Sequence, residues 1–296
     1  SHFGNSRCVH RPYITINRGR IEDRLVKDQV EGYVTDDGRQ VGSVVMEMKN
    51  ITLRFGGVVA IENVSFDIRE GEIRAIIGPN GAGKSSMLNV INGFYHPQEG
   101  EVWFRGKKRP SMKPYEIAEQ GIARTFQNIA LFKGMTTVEN VMTGRQLMLK
   151  KNFLWQLLRV GPALEEEVEH RRRCEEIIDF LEIQAIRNTP VGSLPYGLQK
   201  RVELARALAM EPKLLLLDEP MAGMNVEEKE DMSRFILDVN DQYGTTIALI
   251  EHDMSVVMDL ADRVVVLDYG KQLADGTPDD VQKDQAVIDA YLGVEH

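Results

Sequence analysis

The sequence predicts an α/β fold with a mostly parallel core sheet, and three observations predict it. Largely apolar runs at Ile73–Ile77, Leu214–Leu217 and Thr245–Ile250 read as buried strands. Helix-forming stretches separate them, and strands alternating with helices build parallel sheets. The first run leads into Gly78-Pro79-Asn80-Gly81-Ala82-Gly83-Lys84-Ser85-Ser86, and Met87–Ile91 then reads as helix.

That glycine-rich turn has the pattern G-x-x-x-x-G-K-S between a strand and a helix N-terminus. Glycines let the backbone fold into a concave nest of N–H groups, and the helix end adds partial positive charge. Both favour a polyphosphate. Lys84 has the reach for its β- and γ-phosphates, and the Ser85 hydroxyl suits Mg²⁺.

Size and composition narrow the class. The chain has 296 residues, 43% hydrophobic and 27% charged, ordinary values for a globular protein. A net charge of −9 argues against nucleic acid as a partner. The two cysteines, Cys8 and Cys174, lie far apart without metal-ligand spacing. This usage fits a reducing compartment. No apolar run approaches the roughly 20 residues that span a bilayer, and no secretory signal is visible.

Residues 1–43 are polar and weakly patterned and read as an N-terminal extension or a vector-derived segment, with a short strand near Gly32–Thr35 before an Asp36-Asp37-Gly38 turn. Alternation then gives strands at 44–55 and 58–68, joined by Gly56-Gly57. Phe55, before that turn, is either a stacking surface for a purine or a strand-end core residue. Short strands follow at 101–105 and 122–125, with a helix starting at Pro114 between them and Phe126-Gln127-Asn128 after them. Residues 134–185 read as mostly helical. Within them Lys150–Arg159 mixes bulky apolar residues with cations, which suits a packed helix or a membrane-proximal contact. Glu167–Arg171 and Glu169–Arg173 have the favourable i,i+4 order of a solvated helix.

Pro195 and Gly197 turn the chain into a helix on which Leu198, Val202, Ala205 and Ala209 recur, presenting another helix N-terminus. Leu214–Leu217 ends in Asp218-Glu219-Pro220, and adjacent acids at a buried strand end need a cation or a catalytic task to offset desolvation. Thr245–Ile250 ends in Glu251-His252-Asp253. A strand over 264–267, a turn at 268–271 and a helical tail complete the reading.

Taken together, these motifs resemble the ATPase subunit of an ATP-binding-cassette (ABC) transporter over about residues 45–290. Gly78–Ser85 matches the Walker A loop, Gln127 the Q-loop, 194–199 the signature motif and Leu214–Asp218 Walker B. Ala222–Asn225 matches the D-loop and His252 the switch histidine. The resemblance implies a P-loop NTPase domain over 44–296, with an antiparallel β subdomain and a helical subdomain near 134–211. It implies ATP on Phe55, Gly78, Asn80, Gly81, Gly83, Lys84, Ser85 and Ser86, with Gly197 facing a partner's nucleotide. Mg²⁺ is then held by Ser85, Gln127 and Asp218. Glu219 polarises the attacking water, His252 positions it, and Lys84 stabilises developing charge. Implied partners are a second ATPase chain, identical or not, transmembrane permease subunits and, indirectly, an extracytoplasmic binding protein. The implied location is peripheral, on the cytoplasmic face of the inner membrane.

Tyr196, the long helical stretch and Phe55-Gly56-Gly57 are similar to the branched-chain amino-acid importer branch. Two motifs depart from the family pattern. Leu194-Pro195-Tyr196-Gly197-Leu198 replaces Leu-Ser-Gly-Gly-Gln, and Asn225 stands where aspartate is usual. Pro195 lacks both a hydroxyl and an N–H. These departures suit a dimer of non-identical chains with unequal sites. The competing classes are a soluble cassette ATPase of repair or translation and an exporter cassette for lipid.

Overall fold

Alternating apolar residues over 44–69 fold as a long hairpin, β3 (Val44–Phe55) antiparallel to β4 (Val58–Arg69). The computed structural model describes residues 32–35, 38–109, 114–125, 129–146 and 162–292. Gln127 and the Lys150–Arg159 stretch lie outside the described residues, as do Asp36 and Asp37. Ahead of the hairpin, β1 (Tyr33–Val34) pairs with β2 (Gln40–Val41). This pair is tied to the following chain: Tyr33 Oη donates to Glu72 Oε1 (3.3 Å), and Arg39 donates to Asn240 and Asp262. β6 (Glu99–Phe104) and β7 (Lys107–Lys108) complete an antiparallel sheet in the order β4-β3-β6-β7.

The second sheet contains β5 (Ile73–Ile77), β8 (Ile122–Arg124), β9 (Leu214–Asp218), β10 (Thr246–Ile250), β11 (Arg263–Asp268) and β12 (Lys271–Gly276), ordered β12-β11-β5-β10-β9-β8. All neighbours are parallel except β12, which runs antiparallel at the edge. The sequence reading passes over β12, because Lys271-Gln272-Leu273-Ala274-Asp275-Gly276 is half-exposed and carries no apolar run. Its Asp275 instead compensates a buried charge: Arg74 of β5 is fully buried and donates to it at 2.5 Å.

Strand residues alternate between two cores. Ile73, Ala75, Ile77, Leu215 and Leu217 join one cluster, and Ile76, Leu214 and Leu216 join the other. A strand buried on both faces therefore appears as a continuous apolar run. The second core is filled by helix α1 (Lys84–Ile91), wedged against the antiparallel sheet; α2 (Pro114–Glu119) contributes Ile117. The first core takes in α3 (Thr137–Gln146), α4 (Pro162–Phe180), α5 (Tyr196–Leu208), α6 (Val226–Tyr243) and α7 (Met254–Leu260). On α4 the Glu169–Arg173 pair forms at 3.1 Å, as its spacing predicts. The chain closes with α8 (Pro278–Lys283) and α9 (Gln285–Leu292). Among the described residues no helix is long and apolar enough to cross a membrane.

Register sets the site. Ile250 pairs with both Ile76 and Asp218. The carboxyl ends of β5, β10 and β9 are therefore level, with β10 in the middle. The segments after them, starting at Gly78, Glu251 and Glu219, emerge side by side, where open α/β sheets place ligands.

Candidate nucleotide site

The loop after β5 needs its glycines. Gly78 has φ +149, and a Cβ there would lie 2.0 Å from the Leu267 carbonyl oxygen. Gly83 has φ +96, and its Cβ would lie 2.6 Å from the Ala60 carbonyl oxygen. Gly83 is also the N-cap of α1, with no side-chain cap. The first-turn N–H groups are thus left for an anion. Asn80, Gly81 and Ser85 are exposed, and Ser86 is half-buried. Lys84 is folded back on the loop, donating to the carbonyl oxygens of Gly78 (2.7 Å) and Pro79 (2.9 Å). Burial pushes its pKa down, while Glu219 and Asp218 pull it up. These two carboxylates and Lys84 thus share one electrostatic site.

Asp218, 3% exposed at the end of β9, accepts from Arg124 Nη2 at 2.8 Å through Oδ2. Its Oδ1 is buried and has no hydrogen-bond partner among the described residues. A buried carboxylate oxygen at the carboxyl end of a strand beside the phosphate loop suits a divalent cation. Among the described residues no group of three or more His, Cys, Asp or Glu side chains gathers for a metal. Mg²⁺ does not require one, since it uses one or two carboxylates with waters and substrate phosphates. Asp218 and the exposed Ser85 hydroxyl therefore fit Mg²⁺.

Glu219 is half-buried with φ +48, a left-handed conformation that is strained for a non-glycine residue and is concentrated at functional sites. Its N–H donates to the Ile250 carbonyl (3.1 Å). His252 is exposed at the head of the segment after β10. Between them lies Glu251, which is 1% exposed.

Phe55 is 44% exposed, which removes its reading as a core residue. It meets Tyr95 edge-on with centroids 4.9 Å apart, and Tyr95 leans on Phe94 at 5.3 Å. Gly197 is gathered elsewhere. Helix α5 begins at Tyr196, two residues before the apolar spacing starts, with Pro195 as a cap that makes no side-chain bond. A Cβ on Gly197 would lie 2.3 Å from Glu228 Oε1, and one on Gly223 would lie 3.3 Å from the Tyr196 ring. The unusual Tyr196 thus packs on the 222–225 turn of its own chain. Asn225 caps α6: its side chain accepts from Glu228 N–H (2.9 Å), and Glu228 accepts from Asn225 N–H (3.1 Å). Asparagine and aspartate cap about equally well, so the substitution keeps the helix start while removing a charge.

Two residues escaped the sequence reading. Arg124 and Glu251 each sit beside a recognised motif, three residues before Gln127 and one before His252. Arg124 reaches Asn89 and Asp218, and Glu251 reaches Met221, all distant in the chain, so adjacency to a motif was their only signal.

The chain matches the family model described as ABC transporter over residues 61–222 and that described as branched-chain amino acid ATP-binding cassette transporter over 271–296. It is 38% identical over 249 residues to the high-affinity branched-chain amino acid transport ATP-binding protein BraF of Pseudomonas aeruginosa, covering 84% of this chain and 98% of that one. It is 36% identical, with the same coverages, to LivG of Escherichia coli. A nucleotide-free ATP-binding cassette from an ABC transporter superposes with TM-score 0.73 at 32% identity, covering 84% of this chain and 99% of the other. A cassette solved as a dimer in a post-hydrolysis state with ADP and phosphate gives 0.67 at 28% identity, covering 79% and 98%. With its core and edge sheets, its phosphate loop and its matched length all in agreement, the chain belongs to the ATP-binding-cassette family of transporter ATPases.

Proposed function

We propose that the chain binds and hydrolyses ATP to drive a transporter importing branched-chain or related amino acids. The observation that carries the chemistry is the convergence of Lys84, Asp218 and Glu219 at level strand ends beside an uncapped helix start. The cargo reading rests on the names of the relatives and on the matched tail, residues 271–296.

The Gly78–Ser86 backbone cradles the phosphates, and Lys84 exchanges its carbonyl contacts for phosphate oxygens. Phe55 offers its exposed ring to the base. Mg²⁺ held by Ser85, Asp218 and Gln127 would neutralise phosphate charge. Glu219 orients and polarises the attacking water, and His252 holds the γ-phosphate side of it, so that charge develops among fixed donors. Gly197 and the free N–H groups of α5 serve a second ATPase chain, identical or not, in a closed dimer. Permease subunits, with an extracytoplasmic binding protein beyond them, hold the assembly at the cytoplasmic face of the inner membrane.

Glu219→Gln tests the assignment. ATP affinity is expected to stay near the parent's, while hydrolysis falls by about two orders of magnitude or more. Undiminished turnover in that variant would remove Glu219 from the role.

A further inference from the structure

We propose that Glu251 is a positioning residue for hydrolysis, its buried carboxyl fixing the turn that carries Glu219 and the segment that carries His252. This rests on the roles given above to those two residues.

The argument begins with strand order. β10 lies between β5 and β9, so the residue that follows it emerges between the phosphate loop and the Glu219 turn. That residue is Glu251, and its side chain is 1% exposed. Its two oxygens are used separately. Oε1 accepts the Met221 N–H at 3.2 Å, two residues beyond Glu219, and Oε2 accepts the His252 N–H at 3.4 Å. The Glu219 turn is thereby held on both sides by the end of β10: Glu219 N–H reaches the Ile250 carbonyl at 3.1 Å, and Met221 N–H reaches Glu251.

This hold has a clear physical purpose. Glu219 sits at φ +48, a strained conformation that persists only when the surroundings impose it. Glu251 is one of the groups that impose it. By also accepting the N–H of His252, it ties the two segments to one buried side chain. Burial raises the Glu251 pKa, and Glu219 adds to that rise, whereas the two backbone donors and His252 oppose it. An apolar side chain of similar size would fill the space but would leave the buried Met221 N–H and the partly buried His252 N–H without this acceptor.

The test uses the full chain, in whichever assembly the parent hydrolyses ATP, with Glu251→Ala, Glu251→Gln and His252→Ala. The readouts are the single-turnover rate and the ATP dissociation constant by calorimetry. Glu251→Ala is expected to slow turnover by about tenfold or more, as displaced catalytic groups do, with ATP affinity within about twofold of the parent. Glu251→Gln keeps one acceptor and loses the other, and its rate should lie between those of the parent and the alanine variant. In a His252→Ala background the penalty of Glu251→Ala should shrink, because one of its two dependants is gone. Turnover within twofold of the parent in Glu251→Ala, or in Glu251→Gln if the alanine variant does not fold, overturns the proposal. So does a loss of ATP affinity in step with the rate, the mark of a general structural role. Failure here with Glu219→Gln inactive overturns only the positioning role, whereas an active Glu219→Gln overturns the underlying reading.

Discussion

Arg124→Met isolates one buried charge pair. Arg124 is 10% exposed and Asp218 4% exposed by side chain, with Nη2 and Oδ2 2.8 Å apart. The same guanidinium donates to Asn89 of α1, so one side chain links the strand before residues 126–128, the phosphate-loop helix and the Walker B aspartate. Methionine keeps much of the stem and deletes the charge. Asp218 is then a buried carboxylate lacking its guanidinium, and removing one partner of such a pair costs about 3–5 kcal/mol. At about 2 °C per kcal/mol for a domain of this size, the melting temperature should fall by roughly 6–10 °C. Differential scanning fluorimetry without nucleotide measures it. The double variant Arg124→Met/Asp218→Asn should recover most of the loss, because no net charge is then buried. A single variant melting within 2 °C of the parent, or a double variant melting no higher than the single, would refute the reasoning.

Two further outcomes follow from other parts of the fold. Asn225→Ala removes the α6 cap and half of its reciprocal pair with Glu228, and should cost about 1 kcal/mol, whereas Asn225→Asp should melt with the parent; chemical denaturation separates the two. Asp253 accepts from Ser255 and Lys229, which hold its pKa at about 2 instead of the ordinary 3.8. Its folded pKa is depressed, so its contribution is fully present above pH 3.8 and is lost as pH falls towards 2. Asp253→Asn should therefore narrow its stability gap to the parent over that window in acid titrations followed by circular dichroism.

The signature and D-loop departures are related in the structure. Tyr196 lies on Gly223, and Gly197 lies against Glu228, which completes the Asn225 cap. The signature and D-loop segments thus brace one another within a single chain, so a change at Tyr196 is expected to be felt at the start of α6.

Local chemistry determined much of this protein on its own. Gly78–Ser86 is legible because a phosphate nest needs glycines and a lysine at fixed spacing within a few residues. The strands Ile73–Ile77 and Leu214–Asp218 are legible because burial on both faces leaves nearly continuous apolar runs, broken only by Arg74 and ended by Asp218. Edge strand β12 was not, because it pairs with a single strand and is partly exposed, so it carries no apolar run. Strand order and register decided the rest. They place β10 between β5 and β9, make Glu251 a shared acceptor for two turns, and set Arg124 against Asp218, 94 residues away in the chain. Such contacts leave no periodicity in the sequence, since each depends on which strands become neighbours and not on the residues beside it.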